Sequence, residues 1–304
     1  MPNYDIIIVG GGPAGLTAAL YARRANKSVL VLEKAAFGGQ ITFSPKVENI
    51  PGQQALSGND FAAQLVEQVM DLGADLEPAE VTDIKINGDG SKTVVTDDGE
   101  YTAKAVIIAS GATHRRLGID GEEELIGNGI SFCAVCDGAF YQGKTVGVVG
   151  GGNSALQEAL LLSELAEKVV IVQNLDYLTG EETLKNRVAE KRNIEVVTGS
   201  TVAGFIGDSM LSGIRIQNAS GEISEIALDG LFVAIGLVPQ NDAFKEVIDL
   251  DGYGYAASDE SCTTKSAGIF AAGDCRQKKV RQVTTACADG AVAALAACDY
   301  CDTH

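Results

Sequence analysis

Cys133 and Cys136 are separated by two residues, with Asp137 directly behind them. Two thiols at this spacing can close into a disulfide and exchange with another disulfide through a thiolate. The exchange needs a proton for the departing sulfur. No histidine is near this stretch in sequence, which leaves Asp137 as the acid-base group, provided burial raises its pKa enough to hold a proton near neutrality. The alternative for Asp137 is a helix or turn cap. Zinc is the competing chemistry for the pair, but it usually needs four ligands. The chain has only His114 and His304, and its one other close thiol pair is Cys298 and Cys301 at the tail, so no metal is expected.

Two glycine-rich loops flank this pair along the chain. Gly10-Gly11-Gly12-Pro13-Ala14-Gly15 closes the apolar run Asp5 to Val9, and Gly150-Gly151-Gly152-Asn153-Ser154-Ala155 closes Thr145 to Val149. A strand, such a loop and a helix form a dinucleotide cradle, because glycine lets backbone approach a pyrophosphate and the helix start supplies free N–H groups. The first loop is followed by a helix over about Ala14 to Ala25 and a short strand, Val29 to Leu32, that ends in Glu33, the expected place for a carboxylate on an adenosine ribose. The second repeats the plan with a helix from Asn153 to Leu165 and a strand Val169 to Val172, but Gln173 stands at the acid position. Two nucleotide sites and one dithiol imply an electron path through a flavin to a disulfide.

Each βαβ repeat precedes a stretch of short alternating strands, Glu80 to Ala109 and Ser200 to Val233. The fold class is therefore α/β, with two Rossmann-like βαβ domains, each carrying a β-meander. Ile269 to Asp274 reads as a strand ending at a phosphate-side acid, and a last helix is expected from about Val283 to Ala297.

Composition narrows the function. At 304 residues the chain suits two domains, and its 36 glycines and 46% hydrophobic content fit an α/β protein with many tight turns. A net charge of −18 argues against nucleic-acid binding. No apolar stretch approaches a membrane span, and the N-terminus runs straight into a strand, so a soluble, cytoplasmic protein is expected, with no membrane partner. Seven cysteines, an odd count, argue against a closed disulfide framework. Cys262, Cys275 and Cys287 read as small core residues. The run Arg276-Gln277-Lys278-Lys279-Val280-Arg281 is either a basic patch for a partner or a solvated loop. Cys298 and Cys301 read either as a mobile relay at the chain end or, preferably, as incidental thiols in a frayed helix.

The chain resembles the low-molecular-weight thioredoxin reductases over essentially its whole length. The matching stretches are Gly10 to Glu33, Gly38 to Thr42, Val47 to Gly52, Ile107 to Ala112, Cys133 to Gly138, Gly273-Asp274, Val280 to Val283 and Asp289 to Ala291. The resemblance implies FAD at the first loop. Gly12, Ala14 and Glu33 would hold the ADP half, with Gly10, Pro13 and Gly15 in the same cradle, Gln40 and Asn49 would lie near the flavin, and Gly111 would also bind the cofactor. Gly273 and Asp274 would meet the ribityl-phosphate region, and Arg281, Gln282 and Val283 would cap the ring at the last helix. It also implies a discontinuous FAD domain, 1–113 with 244–304, and an inserted domain, 114–243, that carries the dithiol. Cys136 would face the flavin and Cys133 would attack thioredoxin or a thioredoxin-like protein. A homodimer is expected.

At the second loop, Gly150, Gly152, Asn153, Ser154 and Ala155 keep a pyrophosphate geometry. The family members that use NADPH carry a His-Arg-Arg run and a further Arg after the second strand. Here the arginine positions hold Asn174, Leu175 and Thr179, and Asp176 adds a negative charge. The donor is therefore expected not to be NADPH, but ferredoxin, NADH or a second flavin. The alternatives are an NADPH enzyme with a divergent phosphate site, a dithiol oxidase using O₂, or a redox-sensing binding module. Lys185, Arg187, Lys191 and Arg192 could reach a phosphate from the next helix, although a solvated helix face is the preferred reading.

Overall fold

A computed structural model describes residues 2–44 and 46–304. The chain divides into two compact units, Met1–Thr113 with Val238–His304, and His114–Leu237. The return into the first unit falls at Val238, six residues before the expected 244. Asn241 explains the difference. It is fully buried, accepts from the Ser110 hydroxyl at 3.0 Å, and donates to the Gly254 and Cys275 carbonyls at 2.9 and 2.7 Å, all within the first unit.

The sheet of the first unit runs in the order Asp75–Pro78, Val29–Glu33, Asn3–Val9, Glu100–Ile108, Lys92–Thr96, Val81–Ile86, and Ile269–Ala271 also pairs with Glu100–Ile108. The strands beside the glycine loop are parallel, with Ile8 opposite Val31 and Ile107, while the strands from Val81 to Ile108 form the antiparallel meander. Ile6 and Ile8 face one core and Ile7 and Val9 the other, so the strand reads as a continuous apolar run because both of its faces are buried. Helix Pro13–Arg24 packs against the last helix, Val283–Thr303, through small residues such as Ala14, Ala18, Gly290 and Ala293. The last helix runs six residues past the expected Ala297. Cys298 and Cys301 lie on its buried face, both 5% exposed, so they form neither a mobile relay nor a frayed end. Burial pushes both thiols up, Cys301 to about 11, which keeps them protonated and unreactive.

The second unit has an all-parallel sheet in the order Ile194–Val197, Lys168–Val172, Thr145–Val149, Gly230–Val233, Ile130–Ser131. Its meander, Ser200–Ile206, Gly213–Asn218 and Ile223–Ala227, is a separate antiparallel sheet. Among the described residues no helix is long and apolar enough to cross a membrane.

Candidate active site

Ile130–Ser131 is the edge strand of the parallel sheet, and its carboxyl end delivers Cys133, the usual position for a reacting group in such folds. A single turn, Ala134–Asp137, follows. Cys133 and Cys136 are joined as a disulfide. The Cys136 amide donates to Cys133 Sγ at 3.2 Å, an interaction that favours a thiolate on Cys133 once the bond opens. Ser131 Oγ donates to Asp137 Oδ2 at 2.6 Å and accepts from the Cys133 amide at 3.1 Å. The structure thus brings Asp137 to the pair through Ser131, a residue that the motif alone does not mark.

Burial pushes the Asp137 carboxyl up, against the opposing effect of the Ser131 hydrogen bond, and Asp137 Oδ1 is buried with no hydrogen-bond partner among the described residues. A carboxyl in this state holds a proton to higher pH than an exposed one. His114 also comes close. Its ring stacks on Phe132, beside Cys133, at 4.8 Å, and the Arg116 guanidinium lies 4.7 Å from the Phe132 ring. Burial, with Arg116 adding to it, pushes His114 down to about 4, so it is neutral at pH 7 and is no rival proton donor.

The raised Asp137 carboxyl has a consequence for stability. Its folded-state pKa lies above the unfolded value, so its stabilising contribution is full below the unfolded pKa and is lost as pH rises through the folded one. At neutral pH Asp137→Asn should therefore raise the melting temperature, by an increment that shrinks on acidification, while disulfide turnover falls by about a hundredfold or more. A melting curve at two pH values alongside turnover checks both halves, and unchanged turnover would remove Asp137 from proton transfer.

In the first unit the glycine loop is built as the spacing predicts. Gly10 has φ +109°, and a Cβ there would strike the Ala109 carbonyl. A Cβ on Gly15 would overlap the Gly10 carbonyl oxygen. Gly12 differs: it has ordinary φ, and a Cβ on it would meet only the Gly38 carbonyl at 4.0 Å. Packing therefore demands glycine at positions 10 and 15 but not at 12, where the open side faces whatever binds. Glu33 Oε2 accepts from the Gly11 amide at 2.7 Å and Oε1 from Ala35 at 2.9 Å. Gly10 and Glu33 line a cleft of about 230 Å³ at the carboxyl ends of the strands, with Val81 and Ser110.

Asp274 sits in the turn Gly273–Cys275. Burial raises its carboxyl, and its Oδ1 is buried without a partner among the described residues. Arg281 donates to the Asp274 carbonyl at 3.3 Å and lies 4.1 Å from the Tyr255 ring. Asn49 donates to Gln282 Oε1 at 3.0 Å, and Gln282 caps the last helix, which begins at Val283. Gln40 and Asn49 are exposed. Four of the expected flavin residues, Asp274, Arg281, Gln282 and Asn49, therefore follow one another through contacts or along the chain, while no contact ties Gln40 or Gly111 to them among the described residues. An unpartnered buried acceptor and a loop open at Gly12 fit a bound dinucleotide.

Two substitutions separate binding from folding here. Gly15→Ala should cost several kcal/mol of stability, because backbone must move. Gly12→Ala should leave the melting temperature of the flavin-free protein unchanged or slightly raised, yet weaken FAD binding by at least about tenfold. Equal FAD affinity in Gly12→Ala and the unmodified protein would show that the loop does not contact the ligand.

The second loop has the same backbone. Gly150 has φ +127°, and Gly152 begins helix Asn153–Ser163 with only Thr179 Oγ1 near its missing Cβ, at 3.8 Å. Asn153 exchanges hydrogen bonds with Glu181, and Ser154 is exposed while Ala155 is buried. Gln173 is buried, packs on Gly151, and donates to the Tyr177 carbonyl at 3.3 Å. Asn174, Leu175, Asp176 and Thr179 are exposed. Lys185 pairs with Glu182 at 2.6 Å, and Lys191 pairs with Glu164. Glu158, which sequence reading passed over, has Oε2 buried without a partner among the described residues and is pushed up to about 7 by burial.

Comparison with known proteins shows the family. The family described as pyridine nucleotide-disulphide oxidoreductase matches residues 4–290. A Clostridium pasteurianum protein described as "34.2 kDa protein in rubredoxin operon" is 42% identical over 298 residues, covering 97% of this chain and 96% of that protein. A thioredoxin reductase of Listeria monocytogenes is 40% identical over 299 residues, covering 98% of this chain and 93% of the relative. The crystal structure of thioredoxin reductase from Streptococcus pyogenes superposes with a TM-score of 0.94 at 39% identity, covering 99% of each chain. The chain belongs to the pyridine nucleotide-disulphide oxidoreductases, and within them to the low-molecular-weight thioredoxin reductases, the flavin-dependent reductases of disulfides.

Proposed function

We propose that this protein reduces the disulfide of a thioredoxin or thioredoxin-like protein through Cys133 and Cys136, with FAD held by the first unit and a donor other than NADPH. The observation that carries the reading is the Cys133–Cys136 bond set beside Asp137, a carboxyl that burial inclines to hold a proton. In this reading Gly10, Gly12, Pro13, Ala14 and Gly15 cradle the pyrophosphate and Glu33 takes the adenosine ribose. Gly273 and Asp274 take the ribityl-phosphate region, while Gln40, Asn49, Gly111, Arg281, Gln282 and Val283 surround the ring. When bound, FAD supplies a two-electron carrier able to reduce a disulfide.

From the reduced pair, the Cys133 thiolate attacks one sulfur of the partner's disulfide. That S–S bond breaks, a mixed disulfide forms, and the departing partner thiolate takes a proton from Asp137. Cys136 then gives its proton to Asp137 and attacks the Cys133 sulfur. The Cys133–Cys136 bond re-forms, and the partner's second sulfur leaves with the proton returned through Asp137. Two electrons and two protons have passed to the partner.

The donor part rests on the second loop. Asn174, Leu175 and Thr179 offer no cation to a 2′-phosphate, and of the cations that follow in sequence Lys185 and Lys191 already face Glu182 and Glu164. Ferredoxin, NADH or a second flavin then takes the donor's place. The test is anaerobic reduction of the FAD-loaded protein by NADPH, NADH and reduced ferredoxin in parallel, each followed by thioredoxin disulfide turnover. Turnover with no donor would defeat the reductase reading. Hydrogen peroxide formation coupled to dithiol oxidation would replace it with an oxidase.

A further inference from the structure

Two cations of the basic run Arg276 to Arg281 turn inward, while Lys279 stays exposed. Arg276 is 2% exposed, and the side chain of Lys278 is 7% exposed. Both close on Asp289, a buried carboxylate of the last helix. Arg276 reaches it with Nε and Nη2, each at 2.8 Å, and Lys278 Nζ reaches it at 2.8 Å. The same carboxylate accepts the Gly273 amide at 3.0 Å. Asp289 therefore ties the Gly273–Asp274 turn to the helix that Gln282 caps.

The charges in this cluster do not cancel. Two buried cations meet one buried carboxylate, and the only other acid on Arg276 among the described residues, Glu260, stands off at 3.7 Å and is 97% exposed. Burying a surplus charge is costly unless another charge answers it. The nearby acid is Asp274, whose Oδ1 is buried and unpartnered among the described residues, and on which Lys278 and then Arg281 act as favourable charges against the cost of burial and the opposing charge of Asp289.

We propose that Lys278, seated on Asp289, is a positioning residue of the flavin site, which braces the Gly273–Asp274 turn and balances the charge of the carboxylate offered to the ligand. The inference rests on the FAD reading of the first unit. A carboxylate accepts hydrogen bonds from ribityl or ribose hydroxyls more strongly when it is ionised, so a cation that answers its charge favours the better acceptor. Lys278 acts through Asp274 rather than on the ligand.

Lys278→Met separates this role from simple bracing. Asp289 would keep both Arg276 contacts and the Gly273 amide, and an apolar side chain of similar length fills the space. The expected result is an unchanged melting temperature for the flavin-free protein, with FAD dissociation measured by flavin fluorescence weakened about tenfold or more. Lys278→Arg should restore most of that affinity, because it restores the charge. FAD affinity in Lys278→Met equal to that of the unmodified protein, whatever its melting temperature, would overturn the inference. So would weakened affinity that Lys278→Arg fails to restore. An unmodified protein that takes up no FAD would overturn the flavin reading itself, and this inference with it.

Discussion

Cys136→Ser is expected to keep its FAD and to lose disulfide turnover, by at least about a thousandfold. The same loss is expected for Cys133→Ser, because a single thiol cannot complete the exchange. The two variants differ in what they trap. With Cys136 gone, the Cys133 thiol still attacks the partner, and nothing in the chain resolves the product, so a mixed disulfide with thioredoxin should accumulate. The Cys136 amide at 3.2 Å from Cys133 Sγ supports this order, since it favours negative charge on that sulfur. With Cys133 gone no such complex should build up. Non-reducing electrophoresis after mixing with oxidised thioredoxin reads the outcome. Trapping by Cys133→Ser alone would reverse the roles, and full turnover in either variant would remove the pair from the reaction. Cys298 and Cys301 should not rescue either variant, because both are buried in the last helix.

NADPH should reduce the flavin-loaded protein poorly. Each charge-assisted hydrogen bond to the 2′-phosphate contributes about 1.5–3 kcal/mol, so three missing guanidinium groups can cost several orders of magnitude in affinity, less whatever is non-additive. Asn174, Leu175 and Thr179 are all exposed, so arginine can be placed there without disturbing a core. Thr179 is also held close to the loop, through its amide to the Gly151 carbonyl at 2.8 Å. The triple variant Asn174→Arg, Leu175→Arg, Thr179→Arg should raise the rate of flavin reduction at low NADPH by about a hundredfold, with little change for NADH. Arginine is the required choice because its planar fork matches phosphate. If the unmodified protein is already reduced by micromolar NADPH at catalytic rates, the donor proposal is wrong, and Arg187 and Arg192 become the residues to test.

What could be read in the chain was whatever local spacing dictates. A strand, a turn and a helix have nearly fixed lengths, so Gly10 and Glu33 come together in any such unit, and the Gly11 amide indeed meets the Glu33 carboxylate. Cys133 and Cys136 are paired by proximity alone. Residues that owe their role to a distant partner left no such trace. Ser131 lies only six residues before Asp137, yet its hydroxyl matters because the edge strand ends there. His114 reaches Phe132 only through the folded unit. The charges of Arg276 and Lys278 suggested a surface, because in sequence they are a basic run; Asp289, which buries them, lies more than ten residues on in another element. The tail was misjudged for a related reason. Chain ends usually fray, and this one does not, because Cys298 and Cys301 face the core against the first helix and sheet.

The strand Ile269–Ala271 has one further consequence, for how the chain is made. It pairs with Glu100–Ile108, and helix Val283–Thr303 closes the face beside helix Pro13–Arg24. The first unit thus begins at the ribosome before the second and can be completed only after it. His114–Leu237 contains all the strands of its own sheets and can fold while the rest is being synthesised. During that interval the strands Asn3–Val9 and Glu100–Ile108 lack part of their cover. A nascent chain halted before residue 269 should therefore contain a protease-resistant second unit beside an open, aggregation-prone first one, and flavin capture should wait for release of the C-terminus.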